Sequence, residues 1–135
     1  MHAKVHKDDR GHLFELFRVC EWAPRMAYTV LTHPGYGRDV YAWHKHNRKS
    51  EVFVCLYGDI LVATSLDGVE VDVHELSSGD GIFISVSPGE LHSVINVSAK
   101  DAVLAVFCDD YYDPADELRE PMDSWEWCLW ANKRK

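Results

Sequence analysis

A chain of 135 residues is the size of one ordinary domain, and its 47% apolar and 27% charged residues describe a globular protein rather than a disordered one. The formal net charge of -8 sets the surface against nucleic acid and anionic membrane, so neither is an expected partner. No apolar run is long enough to span a bilayer, and Met1 to Arg10 lacks the apolar stretch of a secretory leader, so the expected location is cytoplasmic.

Along the chain, His44-Lys45-His46 sets two imidazoles at i and i+2, the spacing that faces one side of a strand. Asn47-Arg48-Lys49-Ser50 is polar and turn-like, so Glu51 can open the next strand and point back at the pair. Val52 to Tyr57 is a compact β-prone run closed by Gly58-Asp59, and Ile60 to Thr64 follows at once. Asp67-Gly68 is a hairpin signal, after which Val69 to Leu76 alternates apolar and polar residues as a half-buried strand would. Ile82 to Val86, Val94-Ile95 and Ala102 to Cys108 complete the series, divided by the Gly79-Asp80-Gly81 loop and the Ser87-Pro88-Gly89-Glu90 turn. Pro114 at the first helical position predicts one helical turn over Ala115-Asp116-Glu117-Leu118-Arg119. Many short strands at regular spacing, with no linker, repeat or long 3.6-residue period, predict one all-β sandwich or barrel.

The cysteines Cys20, Cys55, Cys108 and Cys128 include no C-x-x-C pair, and buried reduced thiols are the expectation. Arg38, Lys45, Arg48 and Lys49 cluster around the histidines and are the candidate local cations for a phosphorylated ligand. His2, His6, His12, His33 and His74 fall in loops or on polar faces and read as solvated side chains.

His44, His46, Glu51 and Gly58 fit the pattern H-x-H, four residues, E, six residues, G, while Pro88, Gly89, His92 and Asn96 fit P-G-x-x-H-x-x-x-N. Jointly these resemble the two motifs of the cupin superfamily. The resemblance implies a single-domain jelly-roll barrel (a double-stranded β-helix) over residues 1–135, with a barrel core over about 7–112 and a C-terminal cover over 113–135. Three imidazoles and a carboxylate converging inside a barrel suit one divalent metal, with zinc, iron, manganese and nickel as candidates at His44, His46, Glu51 and His92. The alternative is a metal-free barrel in which His44 and His46 are catalytic or polar lining residues.

Lys7 to Arg18 resembles the opening motif of the dTDP-4-dehydrorhamnose 3,5-epimerase family, and Asp109 to Pro114 resembles the stretch after its last core strand. Thr32 to Gly35, through His46 to Glu51, looks like the C-terminal metal cupin of bifunctional capsule-sugar enzymes, which is implied to be a C3 epimerase. Together the resemblances run from about residue 7 to residue 127. They imply an isomerase acting on a nucleotide-linked keto sugar, with Arg10 on the nucleotide phosphates and Glu15 and Arg38 lining the pocket. Tyr112 joins these as a substrate-binding candidate, with packing as its alternative. A homodimer is implied by the family, and the aromatic tail of Trp125, Trp127 and Trp130 reads as a final strand or a cover packed on the barrel or a dimer mate.

The sequence also departs from the epimerases. They carry a general-acid tyrosine in the last core strand, where this chain has Val106. They also have an aspartate orienting the base histidine, in a C-terminal region beyond the length of this sequence, and usually Gln where His46 stands. The sugar 3,4-ketoisomerases, with H-x-H and an apolar residue in place of that tyrosine, match better at His44, His46 and Val103 to Tyr112. Either relative needs a base near neutral pKa to take the C3 proton beside a C4 ketone, and histidine meets that need. His44 and His46 are therefore the candidate catalytic residues, for C3 epimerisation or 3,4-ketoisomerisation. The competing readings are a metal-dependent cupin oxygenase and a non-catalytic sugar-binding cupin.

Overall fold

The computed structural model describes residues 4–15, 23–38 and 42–121, apart from the side chains at 14, 38 and 42. Within these residues the β-branched and alternating runs form β1 (Lys4–Asp8), β2 (Gly11–Glu15), β3 (Met26–Thr32), β4 (Gly37–Arg38), β5 (Ala42–His46) and β6 (Glu51–Tyr57). They continue as β7 (Asp59–Ser65), β8 (Asp72–Ser77), β9 (Phe83–Val86), β10 (Leu91–Asn96), β11 (Ala102–Cys108) and β12 (Glu117–Pro121). A six-stranded sheet runs β12-β5-β10-β7-β8, with β4 also paired to β10, and faces a four-stranded sheet ordered β3-β11-β6-β9. β1 and β2 form a separate two-stranded sheet.

The inner faces meet in a core containing Phe53 from β6, Val62 from β7, Val94 from β10 and Leu104 and Val106 from β11. Alternation along β3 turns Met26 and Val30 towards this core. Trp43 packs on the opposite face of the six-stranded sheet with Leu61, Ala63, Leu91 and Ile95. From β3 to β12 the chain passes repeatedly between the two sheets, which is the jelly-roll arrangement expected from the paired motifs.

Motif residues outside the site hold the frame. Gly58 takes φ +81° between β6 and β7, and a Cβ there would lie 2.9 Å from both the Ala102 Cβ and the Ser98 Oγ. Asn96 is buried, and its side-chain amide donates to the carbonyls of Thr32 and Lys100, both at 2.8 Å.

Several element expectations are corrected. Asp67 accepts the N–H groups of Val69 and Glu70, which bends residues 69–71 into the turn, so the strand begins at Asp72. The helical turn shortens to a 3-10 turn over Pro114–Asp116, capped by Asp113, and Glu117 onward is a strand paired with β5. The open edge of β5 offers a full antiparallel ladder there, whereas a helix would break it. Cys55 and Cys108 are buried free thiols, pushed up by burial to about 11 and about 12. Cys20, Cys128, the three C-terminal tryptophans and the proposed cover beyond residue 121 lie outside the described residues. Among the described residues no helix is long and apolar enough to cross a membrane.

Candidate active site

β5, β6, β10 and β12 each supply part of one polar cluster inside the barrel. Antiparallel pairing of β5 with β10 sets His92 directly opposite His44, and pairing of β5 with β12 sets Glu117 opposite His46. Glu51 enters as the first residue of β6. The His44 and His92 ring centroids are 4.1 Å apart, those of His44 and His46 5.2 Å, and those of His46 and His92 5.6 Å.

The loop joining β5 to β6 is fixed from three sides. The Gly89 N–H donates to the His46 carbonyl at 2.7 Å, so the Pro-Gly turn holds the backbone of a site histidine directly. Asp116, 7% exposed, accepts the backbone N–H groups of Arg48 and Lys49 at 2.9 and 3.3 Å. Ser50 donates its N–H to Asp109 Oδ1 at 2.8 Å. These bonds place Glu51 against the histidines without relying on the parity of one continuous strand.

Glu51 is 1% exposed, with Oε1 2.8 Å from His46 Nε2 and 3.1 Å from Lys49 Nζ, and Oε2 3.9 Å from His92 Nε2. Neither carboxylate oxygen accepts a hydrogen bond of good geometry; Lys49 meets Glu51 as an ion pair, and the two imidazoles stand close to it. Burial works to raise this carboxyl, but His46, His92 and Lys49 together outweigh it and hold it at about 2. His92 is pushed down to about 4, by burial first and then by His44 beside it. At neutral pH the His92 ring is therefore neutral.

The orientation of His92 suits the donor set to a metal. Its Nδ1 lies 3.0 Å from the Glu90 carbonyl, which can only accept, so Nδ1 carries the ring proton. Nε2 is then a bare lone pair, buried and without a hydrogen-bond partner, turned towards Glu51. One ligand atom from each of His44, His46 and His92 falls within 4.8 Å of the others. Three convergent imidazoles and an orphaned lone pair fit a divalent metal.

The cluster opens into a cavity of about 360 Å³ lined by His44, Glu51, His92, Tyr28, Val106 and Glu117, among others. Glu117 Oε1 is 4.0 Å from His44 Nε2. Tyr28 stands on β3 directly across from Val106 on β11. The cavity thus joins an imidazole, a carboxylate beside it and a phenol.

The family model for the polysaccharide biosynthesis C-terminal domain matches residues 6–118. The chain belongs to that family. A probable low-salt glycan biosynthesis epimerase of Haloferax volcanii is 32% identical over 136 residues, covering 89% of this chain and 83% of that protein. A TDP-4-oxo-6-deoxy-alpha-D-glucose-3,4-oxoisomerase of Aneurinibacillus thermoaerophilus is 29% identical over 84 residues, 62% of this chain and 58% of that protein. Among solved structures, the sugar 3,4-ketoisomerase QdtA of Thermoanaerobacterium thermosaccharolyticum, in complex with TDP, superposes with a TM-score of 0.75 at 20% identity, over 98% of this chain and 93% of that one. A dTDP-6-deoxy-D-glucose-3,5-epimerase of Legionella pneumophila, in complex with dTDP-4-keto-L-rhamnose, gives 0.73 at 19% identity, over 87% and 69%. At these identities the structural likeness is one of fold.

In this polysaccharide biosynthesis C-terminal domain, the four motif residues His44, His46, Glu51 and His92 come together, while other site expectations lie elsewhere. Arg10 and Glu15 sit on the β1–β2 hairpin, where Arg10 pairs with Asp8 at 2.5 Å and Glu15 contacts His6 at 2.9 Å. Tyr112 is exposed beyond β11, and neither it nor the hairpin residues line the cavity. The Arg38 side chain lies outside the described residues. Of the cations expected to serve a phosphate, Lys45, Arg48 and Lys49 are all ion-paired. Each is drawn to a nearer carboxylate: Lys45 to Glu120 at 2.7 Å, Arg48 to Asp113 at 2.9 Å and Lys49 to Glu51. His6 and His33 are exposed as expected, but paired to Glu15 and Asp101 rather than only solvated.

Three residues escaped the sequence reading in the roles they hold here: Tyr28, Glu117 and Lys49. Alternation along β3 carries a signal for Tyr28, since it shares a face with Met26 and Val30. No local pattern ties residue 117 to residue 44, which meet only through strand pairing.

Proposed function

We propose that this chain is an intramolecular isomerase of a nucleotide-linked 4-keto-6-deoxyhexose. It removes the proton beside the ketone and returns it on the other face or at the old carbonyl carbon. The observation that carries this reading is the pairing of His44 with Glu117 in the cavity wall, at 4.0 Å, with Tyr28 lining the same space. The probable epimerase and the 3,4-oxoisomerase among its relatives support the same reaction class.

His44 is the candidate base, because it is the partly exposed imidazole of the cluster whereas His46 and His92 are buried. A carboxylate beside it stabilises the imidazolium formed when the C3 proton is taken. Tyr28 is the O–H donor for the oxygen that gains charge as the enolate forms. Protonation at C3 from the opposite face gives an epimer, whereas transfer through an enediol to C4 gives the 3-keto isomer. His46, in contact with Glu51, is placed to relay protons behind His44. His44, His46 and His92, with Glu51 beside them, would hold a divalent metal, which when bound supplies Lewis-acid stabilisation of an enolate. An imidazole nitrogen that ligates a metal cannot also take a proton, so metal occupancy competes with the base role of His44.

The test incubates the protein with dTDP- and UDP-linked 4-keto-6-deoxyglucose in D2O, with and without chelator, and follows NMR spectra. Deuterium at C3 with the ketone still at C4 is expected for epimerisation, and a ketone moved to C3 for ketoisomerisation. Neither deuterium at C3 nor a shifted ketone, with both nucleotides, overturns the proposal. A persistent reaction in chelator assigns the chemistry to side chains alone.

A further inference from the structure

Lys49 is 5% exposed, an unusual place for an ammonium group. Its Nζ lies 3.1 Å from Glu51 Oε1, the same oxygen that approaches His46 Nε2 at 2.8 Å. Its backbone is anchored as well, since its N–H donates to buried Asp116. The Asp116 bond holds residue 49 in the loop that carries Glu51, and the buried ammonium lies against that carboxylate.

We propose that Lys49 is a built-in counter-cation that competes with a metal for Glu51, holding metal affinity down and leaving His44 to act as a base. A metal bound by the imidazoles gains from an anionic Glu51, but here that charge is already compensated by a fixed cation. If Oε1 also ligated a divalent ion at about 2.1 Å, the ion and the ammonium would stand no more than about 5 Å apart. In a buried, low-dielectric site such repulsion is poorly screened. The site is thus set between two occupants of one carboxylate, a side-chain ammonium and an external dication. Removing the first should favour the second.

The experiment measures zinc affinity of the chelator-stripped chain by competition with a chromogenic chelator. It compares the wild type with Lys49→Met, Glu51→Gln and the double variant. Lys49→Met is expected to bind zinc at least tenfold more tightly than wild type. In the Glu51→Gln background the same substitution should gain less than threefold, because the contested carboxylate is no longer charged. Wild-type-like or weaker binding by Lys49→Met overturns the proposal, as does an equal gain in both backgrounds. Lys49→Gln, which keeps a polar group in the loop, has to show a gain of the same sign, and circular dichroism checks that each variant is folded. Zinc affinity is read without substrate, so the result stands apart from whether the chain turns over a keto sugar.

Discussion

Acidifying the metal-free protein should weaken it through His92 well before its carboxylates protonate. Burial, followed by the neighbouring His44, pushes the His92 imidazole down to about 4 from its ordinary 6.5. Between those values the unfolded chain binds a proton that the folded chain does not, so stability falls as pH drops from about 6.5 to about 4. The gap of about 2.5 pH units corresponds to about 3 kcal/mol, at roughly 1.36 kcal/mol per unit. That is a large share of the roughly 5–15 kcal/mol of an ordinary domain. Glu51 acts lower on the scale. Its carboxyl is held at about 2 against an ordinary 4.5, so its contribution is complete above 4.5 and lost as pH falls towards 2. Urea unfolding midpoints in chelator, taken from pH 8 down to pH 4, would read the first window. His92→Gln, which cannot titrate, should start less stable at pH 8 but lose much less between pH 6.5 and 4.5. Parallel losses in the two proteins over that window would refute the assignment to His92.

Other substitutions probe the frame and the chemistry. Gly58→Ala must place a methyl group 2.9 Å from Ala102 Cβ at a φ of +81°, and should cost about 2–4 kcal/mol in urea unfolding; a loss below about 1 kcal/mol would mean the β6–β7 turn yields easily. Asp116→Ala deprives the Arg48 and Lys49 N–H groups of their acceptor and should cost about 2–3 kcal/mol, with Asp116→Asn losing less in the same denaturation assay. In the isotope-exchange assay, His44→Ala should lower kcat by about 10²–10⁴-fold. Glu117→Gln should lower it by a smaller factor while KM stays near wild type, and an unchanged kcat would remove Glu117 from the base pair.

Much of the barrel was legible because its strands are short, β-branched and punctuated by Gly, Pro and Asp. Val52 to Tyr57, Ile60 to Thr64 and Ala102 to Cys108 all fall inside β6, β7 and β11. β12 was not legible, because Pro114 gives a true helix-start signal that strand pairing overrides after one turn. The spacing of His44, His46, Glu51 and His92 carried their meeting, since the motif pattern encodes which strand faces which. Glu117 carried no such signal, and Lys49 read as a phosphate-binding cation because a charge next to a turn ordinarily faces water. Its burial follows from the loop bonds to Asp116 and Asp109, which lie far along the chain.

The pairing of β12 with β5 also bears on when the protein can work. Glu117 lies opposite His46, more than half of the chain away from it. During synthesis His44 and His46 emerge early, and the strand bearing Glu117 leaves the ribosome after every other described strand of both sheets. Contacts between such distant segments form late and slowly. A partly made chain therefore carries the candidate base without the acid that supports it, and reactivity is tied to completion of the barrel rather than to any one segment.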